Sequence, residues 1–147
     1  IRDVLGSRGL GDVYKRQAIR CAGKLLYDTN TVTEQYVEEM VSSVKKHGPY
    51  IVVCKGMALP HADCSKGAIK EAASLVRLKT PIEFGSVYND PVRYVIGMSI
   101  KSAESINQAI YDMMKIFGDE NNMNKFDSLP DEQAVLDMIN SFQKQKI

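Results

Sequence analysis

The sequence predicts an α/β fold: a single-domain sandwich with a central mixed β-sheet flanked by helices. Three observations predict it. Apolar residues recur at helical spacing near both ends of the chain, three short β-favouring runs lie between them, and helices and strands do not strictly alternate. A length of 147 residues suits one domain able to bury a core without disulfides or metal.

Residues 1–17 read differently from all that follows, with no helical stripe, no clean alternation and three glycines. The run from Ser7 to Gln17 resembles translated sequencing-adapter read-through at the ends of metagenomic reading frames, so residues 1–17 are expected to be non-native and residues 18–147 to form an N-terminally truncated domain. On that reading Ala18 opens in the middle of a helix. Gly6-Ser7-Arg8-Gly9-Leu10-Gly11 lacks the preceding strand and the pattern of a phosphate loop.

From Ala18 the pattern is regular. Ile19, Ala22, Leu25 and Leu26 define a helix that Asp28-Thr29-Asn30 stops. Thr33 is an N-cap for a second helix whose stripe is Tyr36, Val37, Met40, Val41 and Val44, ending at His47-Gly48. Ile51 to Cys54 is a continuous β-favouring run, the length of a buried strand. Ala72 to Lys79 predicts a strand with one wet face that stops before Thr80-Pro81. Asn89-Asp90-Pro91 is a turn, and Val92 to Ile100 alternates as a further strand. Ala103 to Phe117 carries a helical stripe closed by Gly118; Phe126, Leu129, Val135, Leu136, Ile139 and Phe142 continue in helical form, with a new start at Ser128-Leu129-Pro130-Asp131. The methionines read as core filling.

Composition excludes several functions. Nineteen basic against 18 acidic residues, with no basic block, is not the footprint of a nucleic-acid binder. Without its four basic and two acidic residues at positions 1–17, the remainder carries 15 basic and 16 acidic. No apolar run approaches the roughly 18 residues of a membrane span, and the start has no secretory apolar core. Cys21, Cys54 and Cys64 form an odd set without framework spacing, which fits a reducing, cytoplasmic setting.

Chemistry points to Gly56-Met57-Ala58-Leu59-Pro60-His61-Ala62, an apolar run that brings one of two histidines to a loop opened by Pro60. Proline fixes φ and removes a donor, so the run does not continue as an interior strand, and His61 is displayed at a strand end. A single loop histidine is, taken alone, more often a solvated residue than a catalyst.

Further stretches weigh against that bland reading. Ala18-Ile19-Arg20, Ala22-Gly23-Lys24-Leu25-Leu26, Tyr36-Val37 with Met40, Gly48-Pro49-Tyr50-Ile51-Val52, the Pro60-His61 run, Leu78-Lys79 with Pro81-Ile82 and Phe84, and Asn89-Asp90-Pro91-Val92 occur in one order and spacing. In these the chain resembles the IIA component of the bacterial phosphoenolpyruvate-dependent sugar phosphotransferase system, mannitol/fructose branch, and its Gly-Pro-Tyr-Ile-Val and Asn-Asp-Pro-Val runs look most like ascorbate-type members. The resemblance implies a phosphotransferase: His61 accepts a phosphoryl group from the phosphocarrier protein HPr and passes it to a IIB component, which commonly carries a cysteine. It implies no cofactor or metal, no nucleic acid, and a cytoplasmic protein associated with a membrane IIC subunit. Neutral imidazole is nucleophilic near physiological pH, and a hydrogen bond from one ring nitrogen fixes which other nitrogen attacks.

Some positions depart from the family pattern. An active-site Arg in the second helix of many members aligns at about Ser43, with Lys45 and Lys46 as neighbouring substitutes. A second histidine is replaced by Ile106 in Glu104-Ser105-Ile106, and an Arg after Pro-His-Ala is Asp63, whose charge opposes a phosphate unless it points away. His47 reads as a cation at a helix C-terminus. Ser43, Met57, Leu59, Pro60 and Ala62 are candidate partner or phosphoryl neighbours, with an apolar docking patch at Met57, Leu59 and Ala62 and an acidic rim at Glu38 and Glu39. Three other readings compete: a regulatory domain that changes partners on phosphorylation, a metal site on Cys54, His61 and Cys64, and a Cys-His hydrolase lacking an orienting third residue.

Overall fold

A computed structural model describes residues 11–144. Among them the order is α1 (Gly11–Asp28), α2 (Glu34–His47), β1 (Val52–Cys54), β2 (Met57–Ala58), a 3-10 turn at Cys64–Lys66, β3 (Ala72–Ile82), β4 (Val92–Ser99), α3 (Ala103–Phe117), α4 (Glu120–Ser128) and α5 (Glu132–Lys144). The strands form one mixed sheet in the order β1-β2-β4-β3: β2 runs parallel to β4, and the other two pairs are antiparallel.

Helices cover both faces. Ile19, Leu26, Tyr36 and Met40 of α1 and α2 pack with Val76 and Val95 on one side of the sheet. Met113, Phe117, Phe126 and Ile139 of α3, α4 and α5 pack with Leu75, Tyr94 and Ile96 on the other. Alternate residues of β3 and β4 therefore feed two cores. The first layer is pressed close. A Cβ added at Gly97 would lie 2.8 Å from Ser74 Oγ and 3.1 Å from Ala22 Cβ, and one at Gly23 would lie 2.8 Å from Val37 Cγ1.

The helix limits follow local chemistry. Thr33 Oγ1 accepts from Tyr36 N, and Gly48, at φ 80°, closes α2 through its N–H to the Val44 carbonyl. Ser102 Oγ accepts from Ser105 N to start α3.

Three expectations are corrected. Residues 11–17, read as carrying no helical stripe, form the first turns of α1, in whose middle Ala18 lies, with Tyr14 packed against the core; residues 1–10 lie outside the described residues. β3 runs through Pro81 to Ile82, which proline tolerates because β3 is an edge strand whose pairing with β4 shifts register between Arg77 and Ile82. Its middle has no wet face: Leu75 and Val76 are both buried, since the second helical layer covers the side expected to meet solvent.

Candidate functional site

His61 follows β2 by three residues, and its loop is tied to the sheet on both sides. Leu59 N donates to the Ile51 carbonyl at 2.9 Å, and Met98 N donates to the Pro60 carbonyl at 3.1 Å. The buried Tyr36 hydroxyl donates to the Met98 carbonyl at 2.6 Å and accepts from Ala62 N at 3.2 Å. Burial pushes the Tyr36 phenol above its ordinary pKa, so it stays a neutral donor. His61 is thus a half-buried ring on a backbone fixed at positions 59, 60 and 62.

The ring is oriented as well as placed. Nδ1 lies 2.7 Å from the Leu59 carbonyl oxygen. A carbonyl only accepts, so Nδ1 carries the proton and Nε2 of the neutral ring holds the free lone pair. Tyr50 packs edge-on to His61, with centroids 5.8 Å apart at 78°, and also meets His47 edge-on at 6.2 Å and 85°. Tyr50 Oη is 2.7 Å from Ser43 Oγ.

His61, Tyr50 and Ser43 line a cleft of about 290 Å³ with Ala62, Asp63, Cys64, Ile100, Ser102, Ala103 and Ile106. The N-terminus of α3 therefore borders His61. First-turn N–H groups and the positive end of the helix dipole favour an anion there. The Asp63 carboxylate is turned into its own turn, accepting from Ser65 N at 2.9 Å and Ser65 Oγ at 2.7 Å, bonds that hold its pKa below the ordinary range.

The structure brings together His61, Ser43, Ala62, Asp63 and Ile106, and separates other candidates. Met57 and Leu59 are fully buried in the core under α3–α5, and Pro60 is buried, so the apolar docking patch expected there does not form. Those residues support the loop from beneath. Glu38 is paired with Arg20 at 2.7 Å, and neither it nor Glu39 lines the cleft. Lys45 lines grooves beside α1 instead, and Lys46 is likewise not a cleft residue. The metal reading lacks a cluster: among the described residues no three His, Cys, Asp or Glu side chains converge, and burial pushes the Cys54 thiol up to about 11. Tyr36, Tyr50 and the Ser102 cap of α3 are the parts of the site that the residues alone did not assign. Tyr50 stood within the Gly-Pro-Tyr run, while nothing local distinguishes Tyr36 from a core residue.

Among the described residues no helix is long and apolar enough to cross a membrane. Residues 12–142 match the family model described as phosphoenolpyruvate-dependent sugar phosphotransferase system, EIIA 2. The chain is 34% identical over 125 residues to the ascorbate-specific PTS system EIIA component of Shigella boydii, covering 84% of this chain and 81% of that one. It is similar to the mannitol-specific cryptic phosphotransferase enzyme IIA CmtB from Escherichia coli, with TM-score 0.75, 26% identity, and coverage of 95% and 90%. It also shares the fold of the IIA mannitol enzyme in its complex with phosphorylated IIB from Escherichia coli, with TM-score 0.75, 23% identity, and coverage of 96% and 99%. With the matched region spanning almost the whole described chain and a curated relative above 30% identity, this chain belongs to the EIIA 2 family of the phosphoenolpyruvate-dependent sugar phosphotransferase system.

Proposed function

We propose that His61 is the phosphoryl carrier of this EIIA component, loaded by an HPr-like phosphocarrier protein and discharged to a IIB subunit during uptake of an ascorbate-like carbohydrate. The observation that carries this is the 2.7 Å bond from Nδ1–H to the Leu59 carbonyl, which leaves Nε2 as the nucleophile in a cleft closed by a helix N-terminus.

The electron balance is simple. The Nε2 lone pair forms the new N–P bond as the bond to the donor's phosphohistidine nitrogen breaks, and that nitrogen recovers the pair. Phosphorylated His61 then bears Nδ1–H and Nε2–P together, a cationic ring whose charge the Leu59 carbonyl supports. On discharge the acceptor thiolate takes the phosphoryl group and Nε2 regains its lone pair. No proton has to enter or leave the His61 ring in either step, so the protein's work is positioning and donors for the phosphoryl oxygens. The named activity of the Shigella relative supports the ascorbate-like substrate, and the Escherichia coli complex supports a IIB partner. The cytoplasm is where such a carrier would work, beside a membrane IIC subunit.

Intact mass after incubation with phosphoenolpyruvate, enzyme I and HPr tests the assignment. The expected result is one acid-labile phosphate on the wild type and none on His61→Ala, with IIB removing it. A folded wild type that takes no phosphate overturns the carrier reading. Loading without discharge to any IIB favours the regulatory one.

A further inference from the structure

Among the described residues no lysine or arginine lines the cleft around His61, although a phosphoryl group placed there is doubly charged. The α3 N-terminus meets part of that charge. The Ser102 hydroxyl caps α3 and the Asp63 carboxylate is held in its own turn; Ser43 and Tyr50, facing the cleft from α2 and from the segment before β1, are two further polar side chains whose geometry is fixed there.

We propose that Ser43 and Tyr50 form a paired-hydroxyl donor to the phosphoryl oxygens on His61, taking the place of a cation. The pairing rests on a proton count. Two hydroxyls carry two protons, and the 2.7 Å contact uses one, whichever group donates. One O–H therefore remains for the cleft that both residues line, and the pair can hand that role between them. Tyr50 has the setting of a positioned group rather than a packed one. It is 43% exposed, and it meets both His47 and His61 edge-on with its hydroxyl tied to Ser43. The ring packs edge-on against the imidazole, and the residue lines the same cleft.

This inference rests on His61 carrying the phosphoryl group, and the test separates the two. Single-turnover loading of His61 from phosphorylated HPr is followed for the wild type, Tyr50→Phe, Ser43→Ala, Ser43→Thr and the double variant Tyr50→Phe with Ser43→Ala. Tyr50→Phe keeps both ring contacts but leaves Ser43 an unanchored O–H, so loading is expected to slow about 3- to 10-fold, whereas Tyr50→Phe combined with Ser43→Ala removes both protons and is expected to slow it about 10- to 100-fold, the range for losing a hydrogen bond to a charged group. Ser43→Ala leaves Tyr50 its own O–H, so a loss of about 3- to 10-fold is expected, and Ser43→Thr should restore the rate. The half-saturating HPr concentration should stay constant while the maximal rate falls, and the ³¹P resonance of phosphorylated His61 should move in Tyr50→Phe, neither of which a structural role would produce. Wild-type rates and an unmoved resonance in Tyr50→Phe, or a Thr variant as slow as the Ala variant, overturn the paired-donor role while His61 phosphorylation stands. A wild type that takes no phosphate overturns both.

Discussion

Residues 59–62 and residues 84–91 are both irregular, both contain a proline, and each is held by one side chain used as a hub. In the first, the Tyr36 hydroxyl sits between Ala62 N and the Met98 carbonyl. In the second, the Asp90 carboxylate accepts from the backbone N–H groups of Phe84, Gly85 and Ser86 at 2.7–3.0 Å. The surroundings differ. Tyr36, Leu59 and Ala62 are buried and the segment displays the His61 ring, whereas the second loop displays Val87 and Tyr88, at 88% and 86% exposure. A neutral hydroxyl satisfied on both sides can be buried cheaply and is expensive to orphan, while a carboxylate near water keeps solvation as a fallback. Fixing a backbone is therefore common to both loops; fixing it where water cannot substitute is peculiar to the one with chemistry on it.

The strongest way to break that contrast is Tyr36→Phe. It leaves the Ala62 N–H and the Met98 carbonyl short of a partner in a buried place, with an expected cost of about 2–3 kcal/mol in denaturant unfolding. The loop's freedom to shift should slow phosphoryl loading of His61 by about tenfold or more, since placement errors near 1 Å are costly in rate. A variant with wild-type stability and rate would mean that the strand bonds at Leu59 and Pro60 suffice. Asp90→Ala comes next. Removing an acceptor that serves three N–H groups should cost about 1–2 kcal/mol, softened because those groups can turn to water. Loading of His61 should stay within about twofold of wild type, because the Asp90 hub does not touch its loop. A parallel collapse of loading would show that the two loops are coupled.

The unequal burial of the loops also explains what could be read from residues alone. The stripes of α2 and α3, the caps of α2 at Thr33 and Gly48, and the alternation of β4 are local signals, and the helices and strand lie where they point. Pro60 before His61 is another local signal. What escaped local reading is decided by layers meeting from far along the chain. Alternation in β3 looks like one wet face until α3–α5 cover it, and Pro81 looks like a strand end until β3 is known to lie at the sheet's edge. Met57 and Leu59, next to a displayed histidine, look like a docking patch; a strand that alternates between two cores buries them instead. Ser43 could be placed by resemblance, but its bond to Tyr50 depends on α2 and the segment before β1 being packed side by side.

The gentlest probe of the comparison replaces both displayed side chains, Val87→Ser together with Tyr88→Ser. At 88% and 86% exposure neither buries appreciable apolar area, and the Asp90 bonds that hold residues 84–86 involve backbone N–H groups on the other side of the loop. The area term is therefore small, and the double variant should unfold within about 0.5 kcal/mol of wild type, as surface substitutions do. Thermal melts read beside Asp90→Ala sharpen the inference: a hub variant that loses stability while the tip variant does not would place the loop's energy in its backbone bonds. A loss above about 1 kcal/mol from the tip variant would instead mean that Val87 and Tyr88 pack against the protein in solution, and the displayed loop would then be held by burial as the His61 loop is.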